Sequence, residues 1–212
     1  MQLVICRLLS NSIAMSWYSL KPLFISKVRV KLLKLLVGQP EELFYVRELV
    51  REIGEEINAV RRELQHMEKA RMVTKEKRGN RLYYQFNRQY PYFEDLSSMV
   101  AKNTGLGATL IKNRSKLGTI KLVMFSLQFV TGQPYDAEAV DVTVIGNVVL
   151  PELAALIQTE EGRLGREINY TVLDKQEFVY RKSKRDPFLL AVLAQPRLII
   201  IGSQRELWVK EV

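Results

Sequence analysis

The chain has very few of the side chains that build disulfides and metal sites. Its 212 residues include one cysteine, Cys6, and one histidine, His66. A single cysteine excludes an internal disulfide and a cysteine-cluster zinc site, and a single histidine excludes a multi-histidine metal site and most histidine-based catalysis. His66 has no acid or cysteine partner in a motif, so we predict a structural role for it and no metal site.

Long apolar stretches are also missing. No apolar run reaches the roughly 18 residues that suggest a membrane-spanning helix, so we expect no membrane partner. Residues 1–15 are apolar only in patches and lack the basic start and small-residue cleavage site of a signal peptide. We expect them to be an N-terminal extension, with Met15 as an alternative first residue, and we expect a cytoplasmic protein.

Positive charge is concentrated in the first part of the chain. The formal net charge is +9 at pH 7, and residues 1–120 carry 21 Lys and Arg against 11 Asp and Glu. Residues 121–212 carry 11 basic and 12 acidic side chains. A basic excess favours a polyanionic partner such as nucleic acid, and its uneven distribution favours two domains with different partners.

Helical periodicity occurs three times in the basic part. The apolar spacing predicts a helix from Ile25 to Val37, a shorter one from Phe44 to Ile53, and a third that opens at Glu55. The predicted buried positions of the third helix follow the i, i+3, i+7, i+10 spacing and are Ile57, Val60, Leu64 and Met67.

A β-hairpin is predicted after the third helix. From Val73 the pattern alternates, with Leu82, Tyr84 and Phe86 on one face, and the Gly79-Asn80 pair between the two runs is a turn signal. Three helices followed by a hairpin is the element order of a winged helix-turn-helix, in which the third helix enters the DNA major groove.

The stretch from Tyr45 to Phe86, YVRELVREIGEEINAVRRELQHMEKARMVTKEKRGNRLYYQF, resembles the winged-helix regulators of the ArsR type without a gap. The resemblance implies a dimer that binds double-stranded DNA. Where this chain has Arg71, the family usually has a glycine that ends the recognition helix in a left-handed conformation. A non-glycine residue costs about 1 kcal/mol in that conformation, so we expect a strained turn at Arg71.

The expected DNA contacts come from the third helix and the hairpin. On the helix they lie on or near the face opposite the buried one and are Asn58, Ala59, Arg61, Arg62 and Gln65. On the hairpin they are the basic residues Lys75, Lys77, Arg78 and Arg81. In the major groove Arg can read guanine and Asn or Gln can read adenine, whereas arginines at a hairpin tip suit phosphates or the minor groove. The alternative is that Arg61 and Arg62 only solvate the helix.

Residues 93–114 are predicted to form a helical connector. Phe93, Leu96, Met99 and Val100 recur at helical spacing, which predicts a long helix from Phe93 towards Gly105. In winged-helix dimers such a helix often pairs across the two-fold axis, which would cover its apolar face. The alternative is that it packs on its own C-terminal domain. Cations that could reach flanking phosphates, or merely form a solvated linker, are Lys102, Lys112, Arg114 and Lys116.

The last part of the chain alternates strands and helices. Strand-like runs occur at Ile120–Phe125, Val140–Ile145, Ile168–Leu173 and Leu198–Ile201. Helices are predicted from Pro151 to about Glu161, after Asp174 and after Asp186. These elements predict a layered, mixed-sheet α/β domain over residues 115–212.

Three segments of this domain resemble the minimal nucleotidyltransferases of the DNA polymerase beta type. They are IKLVMFSLQFVTGQPYDAEAVDVTVIG (Ile120 to Gly146), LGREINYTVLDKQEF (Leu164 to Phe178) and DPFLLAVL (Asp186 to Leu193). In active members a strand leads into a Gly-Ser turn that holds nucleotide phosphates, and Asp-x-Asp on the next strand holds Mg²⁺. Fusions of an ArsR-like winged helix to such a domain form a recognisable group.

Most of that site is missing from this sequence. The family positions are filled by Leu127 and Gln128 in place of Gly-Ser, Gly132 as the following glycine, Ala139 in place of the first Asp, and Asp141 as the second. The later strand supplies Asn169, Tyr170 and Thr171 but no third carboxylate, although Asp136 or Glu138 could compensate. We predict a degenerate site without a cofactor, since Mg²⁺ and nucleotide would be needed only by an active enzyme.

The leading hypothesis is a DNA-binding transcriptional regulator that forms a homodimer on double-stranded DNA. Its fold would be α+β with two domains, a winged helix-turn-helix over residues 16–92 and the nucleotidyltransferase-like domain. The second domain would be a pseudoenzyme used for ligand sensing, assembly or protein-partner binding. Two alternatives stay open, namely an active nucleotidyltransferase and an antitoxin-like nucleotidyltransferase partnered with a small helical toxin.

Overall fold

A computed structural model describes residues 26–133 and 139–208. These residues contain helices and two separate β-sheets, so the expected α+β class is confirmed. They divide into a first unit that ends at Asn103 and a second unit that begins at Thr104. Within the described ranges, no helix combines the length and the apolar character that crossing a bilayer requires.

Several expectations fall on residues that the structure does not describe. The N-terminal extension, residues 1–15, lies outside the described residues. The same is true of the two candidate compensating acids, Asp136 and Glu138.

The first unit begins with three helices, α1 (Lys27–Gly38), α2 (Val46–Ile53) and α3 (Ile57–Lys69). Capping groups fix their ends. The Ser26 side chain accepts a hydrogen bond from the Arg29 N–H, the Glu56 carboxylate accepts from the first turn of α3, and Gly54 closes α2 in a left-handed conformation with φ of 61°.

A three-stranded sheet follows the third helix. The predicted hairpin is present as β2 (Val73–Arg78) and β3 (Arg81–Phe86), with Gly79-Asn80 at the turn. A short strand, β1 (Phe44–Tyr45), adds to the other side of β3 and pairs with Tyr84 and Tyr83. The expected helical start at Phe44 is therefore wrong, because the first two residues of that segment pair with the hairpin and α2 starts only at Val46.

The core of the first unit lies between α3 and the two helices before it. Val60, Leu64 and Met67 are buried as predicted, whereas Ile57 at the first turn is half-buried. Leu32 and Leu36 on α1 are completely buried. The helical spacing of the apolar residues thus separates a buried face of α3 from an exposed one.

Arg71 ends α3 in a left-handed conformation, with φ of 59°. Its N–H donates to the Glu68 carbonyl and the Met72 N–H donates to the Met67 carbonyl, both at 2.9 Å, which is the pattern of a Schellman cap. The Asn87 side-chain amide donates to the Arg71 carbonyl at 2.9 Å. The expected strained turn at Arg71 is confirmed, and these hydrogen bonds hold it in place.

We predict that Arg71→Gly raises the free energy of unfolding of the first unit by up to about 1 kcal/mol, because glycine adopts this conformation without strain. Arg71→Ala is the matched control, since it removes the same charge but keeps the Cβ atom. Urea denaturation measures both variants, and equal stability of the two would contradict a conformational origin.

The connector consists of two helices, α4 (Phe93–Asn103) and α5 (Gly105–Lys112). The helix expected from Phe93 towards Gly105 is therefore present as α4, and Gly105, with φ of 51°, separates it from α5. In the first unit α4 packs against α1, and this buries Phe93 and Val100 of the predicted apolar face, whereas Leu96 and Met99 are half-buried.

A mixed four-stranded sheet is the centre of the second unit. Its strands are β4 (Gly118–Ser126), β5 (Val142–Val148), β6 (Tyr170–Leu173) and β7 (Arg197–Ile201), in the order β6-β5-β4-β7. The central strand β4 is antiparallel to both neighbours, and β5 is parallel to β6. All four predicted strands are therefore present, and the predicted mixed sheet is confirmed.

The three helices predicted for the second unit are present as α7, α8 and α9, whose ranges are given next. After α6 (Leu127–Thr131) come α7 (Leu150–Leu164), α8 (Lys175–Ser183), α9 (Pro187–Ala194) and a short 3₁₀ turn (Gln204–Leu207). The carboxylates of Asp174 and Asp186 cap α8 and α9. Phe178 and Leu189 on these two helices belong to one apolar cluster with Met124 and Ile145 on the sheet.

Glu160 joins α7 to the start of α5. Its buried carboxyl group accepts hydrogen bonds from Arg163 Nη1, at 2.9 Å, and from the Leu106 N–H. A Cβ atom on Gly105 would lie 2.8 Å from Glu160 Oε1, so the glycine leaves room for the carboxyl group. Burial raises the pKa of Glu160, and the hydrogen bonds only partly oppose this rise.

We predict that the free energy of unfolding of Glu160→Gln, relative to that of wild type, increases with pH from about pH 4 upward. Because the pKa of Glu160 is higher in the folded state, its contribution to stability is fully present below the unfolded-state pKa and is lost as the pH rises through the folded-state pKa. Urea denaturation over a pH series measures the difference from wild type. Glu152→Gln, an exposed change on the same helix, is the control, and an equal pH-dependent gain there would contradict the prediction.

Candidate functional site

The outer face of α3 carries the residues expected to contact DNA. Asn58, Arg61, Arg62 and Gln65 are exposed, and Ala59 is half-buried beside them. Among the described residues, neither Arg61 nor Arg62 takes part in an ion pair or side-chain hydrogen bond. Both guanidinium groups therefore keep their donors available for another molecule.

The N-terminus of α3 is held by its own acid. Glu56 accepts hydrogen bonds from the Asn58 N–H at 2.8 Å and the Ala59 N–H at 2.9 Å. These backbone bonds hold the pKa of Glu56 below its usual value. The helix dipole is thus already compensated by a carboxylate, which leaves the side chains of the outer face as the groups that can recognise a partner.

A partly buried ion pair connects α3 to α1. Glu63 is only 8% exposed, and its Oε2 accepts a hydrogen bond from Arg29 Nε at 2.9 Å. Sequence reasoning missed this pair. The available signal was an acid at position 63, beside buried Leu64 and three residues after buried Val60, where an ionised group needs a partner.

The basic residues of the hairpin are exposed, and several are already paired within the protein. Arg78 donates from Nε and Nη2 to Glu76 at 2.9 and 3.0 Å. Lys75 Nζ lies 2.6 Å from Glu68 Oε1 on α3. The pairs leave a weaker basic surface than the residue count suggested.

The two remaining hairpin cations differ in their surroundings. The Arg81 guanidinium lies 5.0 Å from the centre of the Tyr45 ring, which is within the range of a cation–π contact. Lys77 is exposed and forms no ion pair among the described residues. Eight of the nine expected contact residues are therefore exposed on this unit, and the ninth, Ala59, is half-buried.

The edge that resembles a nucleotidyltransferase site starts where β4 ends. Ser126 caps α6, and its Oγ accepts from the Phe129 N–H at 3.1 Å. Leu127 and Gln128, at the Gly-Ser positions, form the first turn of α6, and Gly132 ends it with φ of 65°. The Leu127 N–H donates to the Pro196 carbonyl at 2.8 Å, so this backbone donor is not available to a phosphate.

Asp141 is a buried partner of an arginine in this structure. The residue is 2% exposed, and its Oδ2 accepts from Arg166 Nη1 at 3.0 Å and from the Asn169 N–H at 3.2 Å. The Asn169 side chain in turn donates to the carbonyl of Ala139 at 3.2 Å. Sequence reasoning identified Asp141 and Asn169 but missed Arg166, whose only signal is a cation between α7 and β6.

The described residues of this edge offer few oxygen ligands to Mg²⁺. Mg²⁺ requires several oxygen ligands in near-octahedral geometry, whereas Asp141 is committed to a cation and Ala139 supplies no carboxylate. Within residues 26–133 and 139–208 no three His, Cys, Asp or Glu side chains come together as metal ligands.

We predict that Asp141→Asn lowers the free energy of unfolding of the second unit by about 1 to 3 kcal/mol, since the amide leaves Arg166 without its charge partner. The double variant Asp141→Asn with Arg166→Met should recover part of this loss. Thermal and urea denaturation measure both. If the carboxylate served metal binding instead, removing its charge would leave the free energy of unfolding unchanged or raise it. Either result for Asp141→Asn would contradict the structural role.

Comparison with known proteins adds no assignment to these two sites. No family model matches the chain, and no curated protein or solved structure matches it either.

Proposed function

We propose that the chain is a DNA-binding transcriptional regulator that acts as a homodimer in the cytoplasm. The first unit would be a winged helix-turn-helix, with α3 as the recognition helix and the β2–β3 hairpin as the wing. One observation carries the proposal: the exposed face of α3 presents unpaired Arg61 and Arg62 together with Asn58 and Gln65, while the opposite face is fixed in the core.

The chemistry of this face supports reading of base edges. Arginine donates two hydrogen bonds to guanine O6 and N7, and asparagine or glutamine bonds adenine N6 and N7. Arg61, Arg62 and Gln65 occupy adjoining turns of a 13-residue helix, which has the diameter to enter a major groove.

The hairpin supports a second contact, with phosphates or the minor groove. Lys77 and Arg81 are exposed cations on the hairpin. Arg78 at the tip can release the Glu76 carboxylate and bind a phosphate oxygen instead. Because phosphate contacts carry no sequence information, this element would position the protein on DNA and α3 would select the site.

The second unit would be an inactive nucleotidyltransferase fold that serves sensing, assembly or partner binding. The Asp141–Arg166 pair and the engaged Leu127 N–H support the loss of activity. The dimer is proposed from the resemblance to ArsR-type regulators alone, since the buried residues of α4 face its own unit.

The operator can be found by selecting duplexes from a random library with the full chain. We expect two-fold related half-sites about 34 to 36 Å apart, as for other helix-turn-helix dimers. Recovery of unrelated duplexes, with no sequence enriched over the library, would contradict the proposal.

On the selected operator, we predict that Arg62→Ala weakens specific binding by about 1 to 3 kcal/mol and leaves non-specific binding nearly unchanged. Arg78→Ala should instead weaken binding to all sequences alike and reduce the salt slope by about 1. Fluorescence anisotropy over a salt series measures both. Arg205→Ala, an exposed arginine of the second unit, is the charge-matched control, and indistinguishable effects of the first two variants would show that the recognition face is misassigned.

A further inference from the structure

The second unit carries its excess of positive charge in one short segment. Residues 104–121 contain four basic side chains and no acidic one, whereas residues 122–212 contain 10 basic and 12 acidic side chains. We call the four the basic turn, because they run from the end of α5 into the first half of β4. All of them are exposed, and they are Lys112, Arg114, Lys116 and Lys121.

The backbone of the basic turn has a defined shape. Leu117 is completely buried, and its carbonyl accepts a hydrogen bond from the Val149 N–H at 3.1 Å. The Lys116 N–H donates to the Asn113 carbonyl at 2.9 Å, and the Leu117 N–H donates to the Arg114 carbonyl at 3.3 Å. The cations therefore extend from a segment that is anchored in the core of the second unit.

Arg114 folds back towards β4. Its Nη2 donates to the Ile120 carbonyl at 3.4 Å, and that carbonyl belongs to the peptide bond with Lys121. The guanidinium thus lies beside the backbone of Lys121, although the two residues are seven positions apart in the chain. One long hydrogen bond leaves most of the five N–H donors of Arg114 available to another molecule.

A β-bulge sets the position of Lys121. The register of β4 against β5 shifts between Ile120 and Leu122, so Lys121 is an extra residue in the strand. Glycines leave room for this bulge, because a Cβ atom on Gly146 or on Gly202 would overlap a carbonyl oxygen of residues 119–121. A bulge can re-aim a side chain, and here the extra residue is an exposed cation in a strand whose next five residues are buried.

No described acidic side chain compensates the basic turn. None of its four cations forms an ion pair with a described residue. Other cations of the same unit do pair with carboxylates, namely Arg163, Arg166 and Arg181. Like charges this close together repel one another and concentrate counterions around them, and a polyanion that replaces those counterions gains free energy from their release.

The uncharged surface of the basic turn indicates the kind of polyanion. Its other exposed residues between positions 112 and 121 are Ser115, Gly118 and Thr119. Hydroxyl groups and close backbone suit phosphate oxygens. Single-stranded nucleic acids are usually bound by stacking bases on aromatic side chains, and lipid surfaces by inserting apolar ones. The exposed residues here include neither kind, which favours the backbone of a duplex.

We propose that the basic turn contacts the phosphate backbone of double-stranded DNA without reading its sequence. The second unit thereby adds a contact of its own to those of α3 and the hairpin. The choice of duplex DNA as the polyanion rests on the proposed function, whereas the four cations lie entirely within the second unit.

The experiment uses the full chain and a duplex of random sequence about 20 base pairs long, which is about two helical turns. The triple variant Lys112→Gln, Arg114→Gln and Lys116→Gln should reduce the salt slope of binding by about 2 to 3, because each lost phosphate contact removes about 0.9. At low salt its binding should be at least about tenfold weaker. Fluorescence anisotropy over a salt series measures both quantities.

The matched control is the triple variant Lys184→Gln, Arg185→Gln and Arg205→Gln, which removes the same charge from exposed positions elsewhere in the second unit. Its salt slope should stay close to that of wild type, because it removes charge but no phosphate contact. Equal slopes for wild type and the basic-turn variant, or equal reductions in the two triple variants, would overturn the proposal. Tighter binding of the single strand than of the duplex at equal salt would also overturn it.

A single change, Lys121→Gln, decides the matter where the triple variant folds poorly, and it should reduce the salt slope by about 1. Comparison with Arg62→Ala separates this contact from recognition by α3. If Arg62→Ala loses specific binding while both basic-turn variants keep the wild-type slope, only the basic turn is refuted. If the basic-turn variants lose slope on random duplex while Arg62→Ala has no effect, the basic turn is supported and the assignment of α3 fails.

Discussion

The geometry of the first unit depends on how the inner face of α3 is held. Three apolar side chains would permit the helix to slide or rotate slightly, whereas the Glu63–Arg29 ion pair is directional and connects it to α1 at one point. A partly buried pair of this kind contributes little net stability, because the desolvation of Glu63 and the solvent around Arg29 offset much of the attraction. Its effect is on the orientation of α3, and this orientation decides which side chains the exposed face presents together.

The buried carboxylate of Asp141, just before β5, forms an ion pair within the second unit. A buried carboxylate of this kind needs a cation beside it. Here the cation is Arg166, which the chain supplies itself and which also lies 5.3 Å from the centre of the Phe129 ring. The guanidinium compensates the charge of the buried carboxylate, so the pair supports the structure at this position.

Local patterns in the sequence were sufficient to predict much of the fold and the exposed face of α3. Helical and alternating spacings are set by nearest neighbours in the chain, so α3, the hairpin and the four strands of the second sheet could be predicted. Phe44 was misassigned because its strand exists only through pairing with Tyr84, 40 positions away. The ion pairs of Glu63 and Arg166 were missed for the same reason, as their partners are 34 and 25 positions distant. The local pattern at Glu63 indicates that a partner is needed, but it does not show which residue supplies it.

The Glu76–Arg78 pair at the hairpin tip has a kinetic consequence. At distances beyond a few ångströms the two opposite charges cancel, so this tip adds little to the long-range attraction that speeds encounter with a polyanion. The guanidinium can act only after contact, by exchanging its carboxylate for another oxygen. The tip would then lengthen the lifetime of a complex without accelerating its formation, and arrival would depend on the unpaired charges elsewhere on this unit.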